Sequence, residues 1–277
     1  MGYEVGGRLK GVHEGVDRWM VKELSIIDEV IETFKRDPSI GEVLVEKACL
    51  GLGYTGVKLS TGHVGLCYTP KWEMLYQGCS VVEKAGSLAG SKALELVDLA
   101  RSWSLGLRVI GVALLNALSQ LVMEKEPGRV KVSTGNLIDH LEILPGDVVV
   151  MVGYIRPFTQ VLRGKARHLY ILERNPFLRG EDILPDQACD EILPKADVAI
   201  ITGSSLANGT LDHLLKISKG AREVALVGPS AGLPPSILFK RGVTIIGGVE
   251  VIDADRLLQV IVEGGGIREF REFVRFI

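Results

Sequence analysis

Paired metal ligands are the first thing this chain lacks. Cys49, Cys67, Cys79 and Cys189 contain no C-x-x-C spacing, and His13, His63, His140, His168 and His213 contain no H-x-x-x-H. Neither a structural zinc site nor a disulfide framework can be read from such positions. Charge of one sign is also missing. The net charge is −2 with no run of like charge, so the basic footprint needed to grip a nucleic acid backbone is absent and nucleic acid is excluded as an expected partner. Side-chain amides are few, four Asn and five Gln beside plentiful Glu, Arg and Lys, a balance found in heat-adapted proteins and the basis for expecting a thermophilic source. Met1 to Glu14 is rich in glycine and charge, unlike a secretory leader. The longest apolar stretch, Leu105 to Val122, carries Arg108, Asn116 and Gln120. It is expected to be a buried helix of a cytoplasmic protein, with no membrane span.

What is present is enough apolar material for two cores: 277 residues, 47% hydrophobic, with 33 glycines. The most informative stretch runs from Asp147 to Pro176. Val148 to Val152 is an uninterrupted apolar run, as in a parallel strand covered on both faces. Gly153 ends it, Pro157 suits the first turn of a helix, and a second strand, His168 to Leu172, closes on Glu173, Arg174, Asn175 and Pro176. This is a βαβ unit. Gly153 and Glu173 are twenty residues apart, close to the spacing between first turn and ribose-binding acid in a dinucleotide fold, but Gly153 to Phe158 is not G-x-G-x-x-G. The topology is therefore indicated and the cofactor is not.

Before this unit, Met20, Leu24, Ile27, Ile31 and Phe34 recur at the spacing of one helix face within Asp17 to Phe34. Glu42 to Leu50, Tyr54 to Ser60 and His63 to Tyr68 then read as an antiparallel meander separated by glycine turns. In the third segment His63, Gly65 and Cys67 share one face, and Cys is among the most buried residue types, so burial is a stronger reading there than metal ligation. Ser91 to Trp103 and Gly106 to Glu124 resume helical spacing. The latter is apolar almost all round, so Asn116 in its middle requires a partner. Trp19, Trp72 and Trp103 read as core or partner contacts. Pro127 and Gly128 mark the expected boundary between a small α+β domain, residues 1–127, and a Rossmann-like domain, 128–277.

After Glu173 one pattern repeats: apolar strand, glycine turn, helix. Asp197 to Thr202 leads into Gly203-Ser204-Ser205, Glu223 to Val227 into Gly228-Pro229-Ser230, and Val243 to Ile246 into Gly247-Gly248. Strands alternating with helices imply a largely parallel sheet, and right-handed crossovers gather the turns at its carboxyl edge, where open α/β sheets bind ligands. Thr202, Ser204, Asn208 and Thr210 offer groups suited to a phosphate or carboxylate, although the same residue types dominate ordinary caps and turns. Glu173, an acid directly after an apolar strand, is expected to be the residue whose loss most damages binding. Arg156 is read as an anion clamp or a partner of Glu173, and Asp253 as the N-cap of a helix over Ala254 to Val262 that ends at Gly264-Gly265-Gly266.

The runs Gly111 to Ala117, Gly153-Tyr154 with Pro157-Phe158, Glu173 to Pro176, Leu193-Pro194, Thr202-Gly203-Ser204, Asn208-Gly209-Thr210, Gly228-Pro229-Ser230 and Gly264-Gly265-Gly266 together resemble the putative heavy-metal chelation family. Gly53-Tyr54-Thr55 and Val64-Gly65-Leu66 are similar to its companion domain, which resembles the N-terminal domain of enolase. The resemblance implies an enolase-like first domain, a Rossmann-like second domain and a site between them. Cys67 stands where that family would place a small residue, so a thiol ligand cannot be carried over to it. The ligand-binding residues expected are Asn116, Gly153, Tyr154, Arg156, Glu173, Asn175, Thr202, Gly203, Ser204, Asn208, Thr210, Gly228 and Ser230. The expected partner is a small molecule, a metal ion or a metal complex. The alternatives are an enzyme acting on a small anionic or nucleotide-like molecule and a homo-oligomeric scaffold.

Overall fold

The computed structural model describes residues 24–74, 80–83, 85–125 and 131–277. Helix α1, Ile26–Lys35, begins at Ser25, whose hydroxyl accepts the Asp28 N–H at 3.1 Å. Its buried stripe is Ile26, Val30, Ile31 and Phe34. The sequence placed Leu24 and Ile27 on that stripe. Leu24 instead precedes the cap and is exposed, which rotates the buried face by one position. The part of that predicted helix before residue 24, including Trp19, lies outside the described residues, as does the predicted boundary at Pro127 and Gly128.

Strands β1, Val45–Leu50, β2, Tyr54–Leu59, and β3, Val64–Tyr68, form the expected antiparallel meander in the order β1-β2-β3. Where one helix was expected from Ser91 to Trp103, a single turn, α2, Ala93–Leu96, passes into a 3₁₀ segment, Val97–Arg101. Trp103 is 96% exposed and lies beside the Arg108 guanidinium, so it is no core residue. Helix α3, Leu105–Lys125, packs on β3 and β2. It is long and apolar enough to cross a membrane, but 72% of its apolar stretch is buried within the fold, which makes it the core helix. Gly65 and Gly111 permit this packing. A Cβ on Gly65 would strike the Ala113 carbonyl and the Ala117 nitrogen, and one on Gly111 would strike the backbone of Leu99 and Ala100.

The second sheet contains β4, Val148–Val152, β5, His168–Glu173, β6, Ile183–Pro185, β7, Val198–Thr202, β8, Glu223–Val227, and β9, Ile245–Gly247. All pairs are parallel, in the order β6-β5-β4-β7-β8-β9. This is the doubly wound order of a Rossmann sheet, with its switch point between β4 and β7. Helix α4, Arg156–Leu162, links β4 to β5 with Pro157 in its first turn. The one-turn α5, Cys189–Ile192, then α6, Leu211–Ile217, and α7, Pro235–Lys240, complete the crossovers. Strand residues alternate between two cores: Val150, Val152, Ala199, Ile201 and Leu226 join the core shared with α1 and α3, while Val149, Met151, Val198, Ile200 and Ala225 face Phe158 and Leu162 of α4.

The chain then returns to the small sheet. Strand β10, Val249–Val251, pairs antiparallel with β11, Val274–Phe276, and between them lie α8, Ala254–Val262, and α9, Ile267–Phe270. Asp253 caps α8 by accepting the Arg256 N–H at 3.1 Å. Leu257, Leu258, Ile261, Phe270 and Val274 pack against Cys49, Val64 and Leu66. The small sheet is thereby covered by α3 on one face and by the C-terminal segment on the other. Neither β6 nor this return was read from the sequence.

Candidate functional site

The carboxyl ends of β4, β5, β7 and β8 open into a cleft of about 1310 Å³. Its opposite walls are Tyr54 and Tyr68 of the small sheet, the Pro70 to Glu73 stretch after β3, and Ile267 to Ile277 of the C-terminal segment. Ligand pockets typically enclose roughly 300–1,000 Å³, so this open cleft exceeds that range and has room for a cofactor-sized molecule. Of the thirteen residues singled out from the sequence, the fold brings eleven to this cleft: Gly153, Tyr154, Arg156, Glu173, Asn175, Thr202, Ser204, Asn208, Thr210, Gly228 and Ser230.

Asn116 and Gly203 lie behind the wall. Asn116 is buried and donates from Nδ2 to the Leu66 carbonyl at 2.8 Å and the Ser230 carbonyl at 3.0 Å, tying α3 to the small sheet and to the turn after β8. Those two bonds give it a structural role, while its buried Oδ1 has no hydrogen-bond partner among the described residues. Gly203 is where two turns meet: a Cβ there would come within 2.7 Å of the Ala231 nitrogen. Gly153 has φ +93°, and a Cβ would meet the Thr202 methyl carbon at 2.7 Å, so the switch-point turns touch through a glycine.

Glu173 is buried, and its two oxygens accept the backbone N–H groups of Tyr154 and Asn175, both at 2.7 Å. It pairs with neither Arg156 nor Arg174. Arg174 instead reaches Glu73 from Nε at 3.1 Å and Asp186 from Nη1 at 3.3 Å. Several other polar groups are engaged locally. Asn175 Oδ1 accepts the Phe177 N–H, Asn208 Oδ1 accepts from the Thr210 N–H and hydroxyl, and the Thr202 and Ser204 hydroxyls lie 3.1 Å apart. These are the caps and turns that such residues commonly make. Ser230 Oγ accepts the Tyr68 N–H at 2.8 Å, which joins the two sheets at the cleft floor.

Sequence reasoning missed a second set of lining residues. Glu73, Asp186, Asp190, His213, Arg174, Arg268 and Arg271 all border the cleft, and His213 Nε2 lies 2.6 Å from Asp190. Arg268 and Arg271 follow the triple glycine at residues 264–266, which the sequence marked only as a helix end. Asn136, the one asparagine not singled out, lines the cleft too. Burial and the neighbouring Tyr68 and Cys67 push the Tyr54 hydroxyl upward. Burial, with Glu173 and Glu73 nearby, does the same to Tyr68. Both stay protonated and present phenols.

Among the described residues the donor set does not fit a directly coordinated heavy-metal ion. Among the described residues no group of three His, Cys, Asp or Glu side chains is placed to hold one. Burial pushes the thiols of Cys67 and Cys189 up to about 12 and raises Cys49, so all three are protonated in the metal-free protein and a soft metal would have to displace those protons. His63 is held by Thr61 and Glu124 at the surface, and Cys67 is buried, so their shared strand face makes no site.

The fold and cleft define an α/β protein with its candidate site at a Rossmann switch point roofed by a small antiparallel sheet. Residues 136–277 match the DUF364 family model and residues 36–119 match the DUF4213 model, both described as putative heavy-metal chelation. The chain belongs to this DUF364 family. An uncharacterized protein of Methanocaldococcus jannaschii is 31% identical over 167 residues, a match covering 59% of this chain and 62% of that relative's length. A crystal structure of a DUF364-family protein of unknown function from Pyrococcus horikoshii superposes with a TM-score of 0.75 at 23% identity, covering 91% of this chain and 98% of the other. One from Desulfitobacterium hafniense gives 0.73 at 24%, covering 91% and 97%. At these identities the solved structures speak for the fold.

Proposed function

We propose that this protein captures a small organic molecule or a metal complex in the cleft between the parallel-sheet edge and the small sheet. The supporting observation is convergence: turns after four parallel strands, the end of β3 and the C-terminal segment surround one cavity of about 1310 Å³. Its tyrosines supply flat apolar walls and its turns a few oriented polar groups, the composition of a small-molecule site. The family description supports a link to metals, and the mismatched donor set directs that link toward a complexed metal rather than a bare ion.

Thermal-shift screening against metal salts, metal complexes of organic chelators and nucleotides tests the reading. A ligand present at a hundred times its Kd stabilises by about 2.7 kcal/mol, a readily measured rise in Tm. Stabilisation by a complex or its organic component is the expected result. Stabilisation by nucleotides alone would transfer the site to the enzyme alternative, and silence across all three sets would leave the scaffold.

A further inference from the structure

We infer that the cleft selects a ligand carrying at least two acidic groups, held by Arg156 on one side and by Arg268 and Arg271 on the other; the inference rests on the cleft being the binding site. Charge accounting leads there. Each acid bordering the cleft has a cation or backbone N–H groups beside it: Glu73 and Asp186 share Arg174, Asp190 lies against His213, and Glu173 takes two backbone N–H groups, while the Asp186 Oδ1 that makes no hydrogen bond lies 3.8 Å from Arg179. Arg275 is paired with Glu250 at 3.2 Å.

The other three arginines are different. Among the described residues, Arg156, Arg268 and Arg271 have no carboxylate at ion-pair distance, and Arg271 lies over the Phe276 ring at 5.9 Å. They come from separate parts of the chain. Arg156 opens α4 at the parallel-sheet edge, whereas Arg268 and Arg271 belong to the segment that covers the small sheet. Glu269 feels the Arg268 charge but makes no ion pair with it, and guanidinium groups with no carboxylate at ion-pair distance repel a free divalent cation and offer forked donors to carboxylate or phosphate. A metal entering this cleft would therefore be carried inside an organic anion, its coordination supplied by that anion.

Isothermal titration of the full chain at low and high ionic strength tests this with four probes: citrate, ethylenediaminetetraacetate, the zinc complex of ethylenediaminetetraacetate, and zinc ion alone. Binding of at least one anionic probe is expected, weaker at high salt, with zinc ion alone giving no comparable affinity. An Arg156→Gln, Arg268→Gln double variant should lose about 10-fold or more for each arginine that contacts the ligand, because hydrogen bonds to charged groups are worth that much. Arg163→Gln, whose arginine pairs with Asp182 outside the cleft, should bind like the parent. Circular dichroism and a lysine-for-arginine double variant separate loss of fold from loss of charge.

Stoichiometric binding of zinc ion alone, undiminished in the double variant, would overturn the inference while leaving the cleft as a site. Anion binding unchanged in the double variant, or lost equally in Arg163→Gln, would overturn it as well. If no anionic probe binds, the inference fails, and the thermal screen with nucleotides and other complexes decides separately whether the proposed function fails with it.

Discussion

The carboxylate of Glu173 accepts the Tyr154 N–H with one oxygen and the Asn175 N–H with the other, each at 2.7 Å. The acid at the end of β5 thus fastens the turn after β4 to the turn after its own strand. In a dinucleotide fold an acid near this place takes the ribose hydroxyls. Here its first duty is to order the edge of the cleft.

This geometry changes what a Glu173→Gln variant should do. The sequence alone predicts damage to binding with little change in stability. A glutamine has one acceptor oxygen for two backbone donors, and its amide nitrogen would face an N–H group in a buried setting. Chemical denaturation of the ligand-free protein should show a loss of about 1–3 kcal/mol. Unchanged stability would mean that the two amide bonds contribute nothing to the fold.

At the opposite edge of the sheet, Asp147 is buried and binds Arg222 at 2.7 Å and the Leu144 N–H at 2.7 Å. The Arg222 guanidinium holds its carboxyl below the ordinary value of 3.8. A depressed folded-state pKa contributes stability that is present above 3.8 and is lost as pH falls through the lower folded value. The stability difference between parent and Asp147→Asn should therefore shrink as pH is lowered from 5 toward 2, a window of about three units around and below the ordinary aspartate pKa. A difference independent of pH in denaturant titrations would remove the ion pair as its source. Ligand binding should be unaffected by this pair, because Asp147 and Arg222 do not line the cleft.

Gly65→Ala tests the seam between β3 and α3. The added methyl would collide with backbone atoms of Ala113 and Ala117, which cannot rotate away as a side chain would. Overpacking of this kind costs roughly 1–3 kcal/mol and sometimes more, so the variant should melt well below the parent. Gly62→Ala, at a hairpin position with φ +89° and open space around it, should suffer only the smaller backbone penalty. Equal losses in the two variants would contradict the close approach at Gly65.

How much of this was legible beforehand depended on the signal each element left. Strands β4, β5, β7 and β8 are apolar runs ended by glycine or an acid, and those runs sufficed to place the carboxyl edge. Strand β6 is three residues ending in Pro185, too short for periodicity. The return of α8 and α9 to the small sheet depends on Leu258 and Phe270 meeting Leu66 and Tyr54, contacts between distant segments that local spacing does not encode. Site residues followed the same rule. Glycine turns marked one wall, while Arg268 and Arg271 on the other wall follow no pattern in the sequence that singles them out. The twenty-residue spacing located Glu173, but its bond to Tyr154 required the turn to fold back over the strand end.

The described thiols provide a last test, and it bears on the metal reading directly. Cys67 is fully buried, and Cys189, although it borders the cleft, is 6% exposed; burial pushes both up to about 12, with Asp186 and Asp190 adding to the effect at Cys189. The nucleophile and the soft-metal ligand are both the thiolate, so native protein near pH 8 should leave Cys67 and Cys189 unmodified by iodoacetamide over times that fully label a denatured sample. Mass spectrometry of the digested protein reads each site separately. Cys189 is the sharper case because it lies at the cleft wall: a ligand that coordinated metal through it would have to draw it into the thiolate form. Rapid native labelling of Cys189, suppressed by zinc ion alone, would show an accessible thiolate and make Cys189 a metal ligand. Slow labelling of both, with fast labelling after denaturation, is the outcome the burial of these side chains dictates.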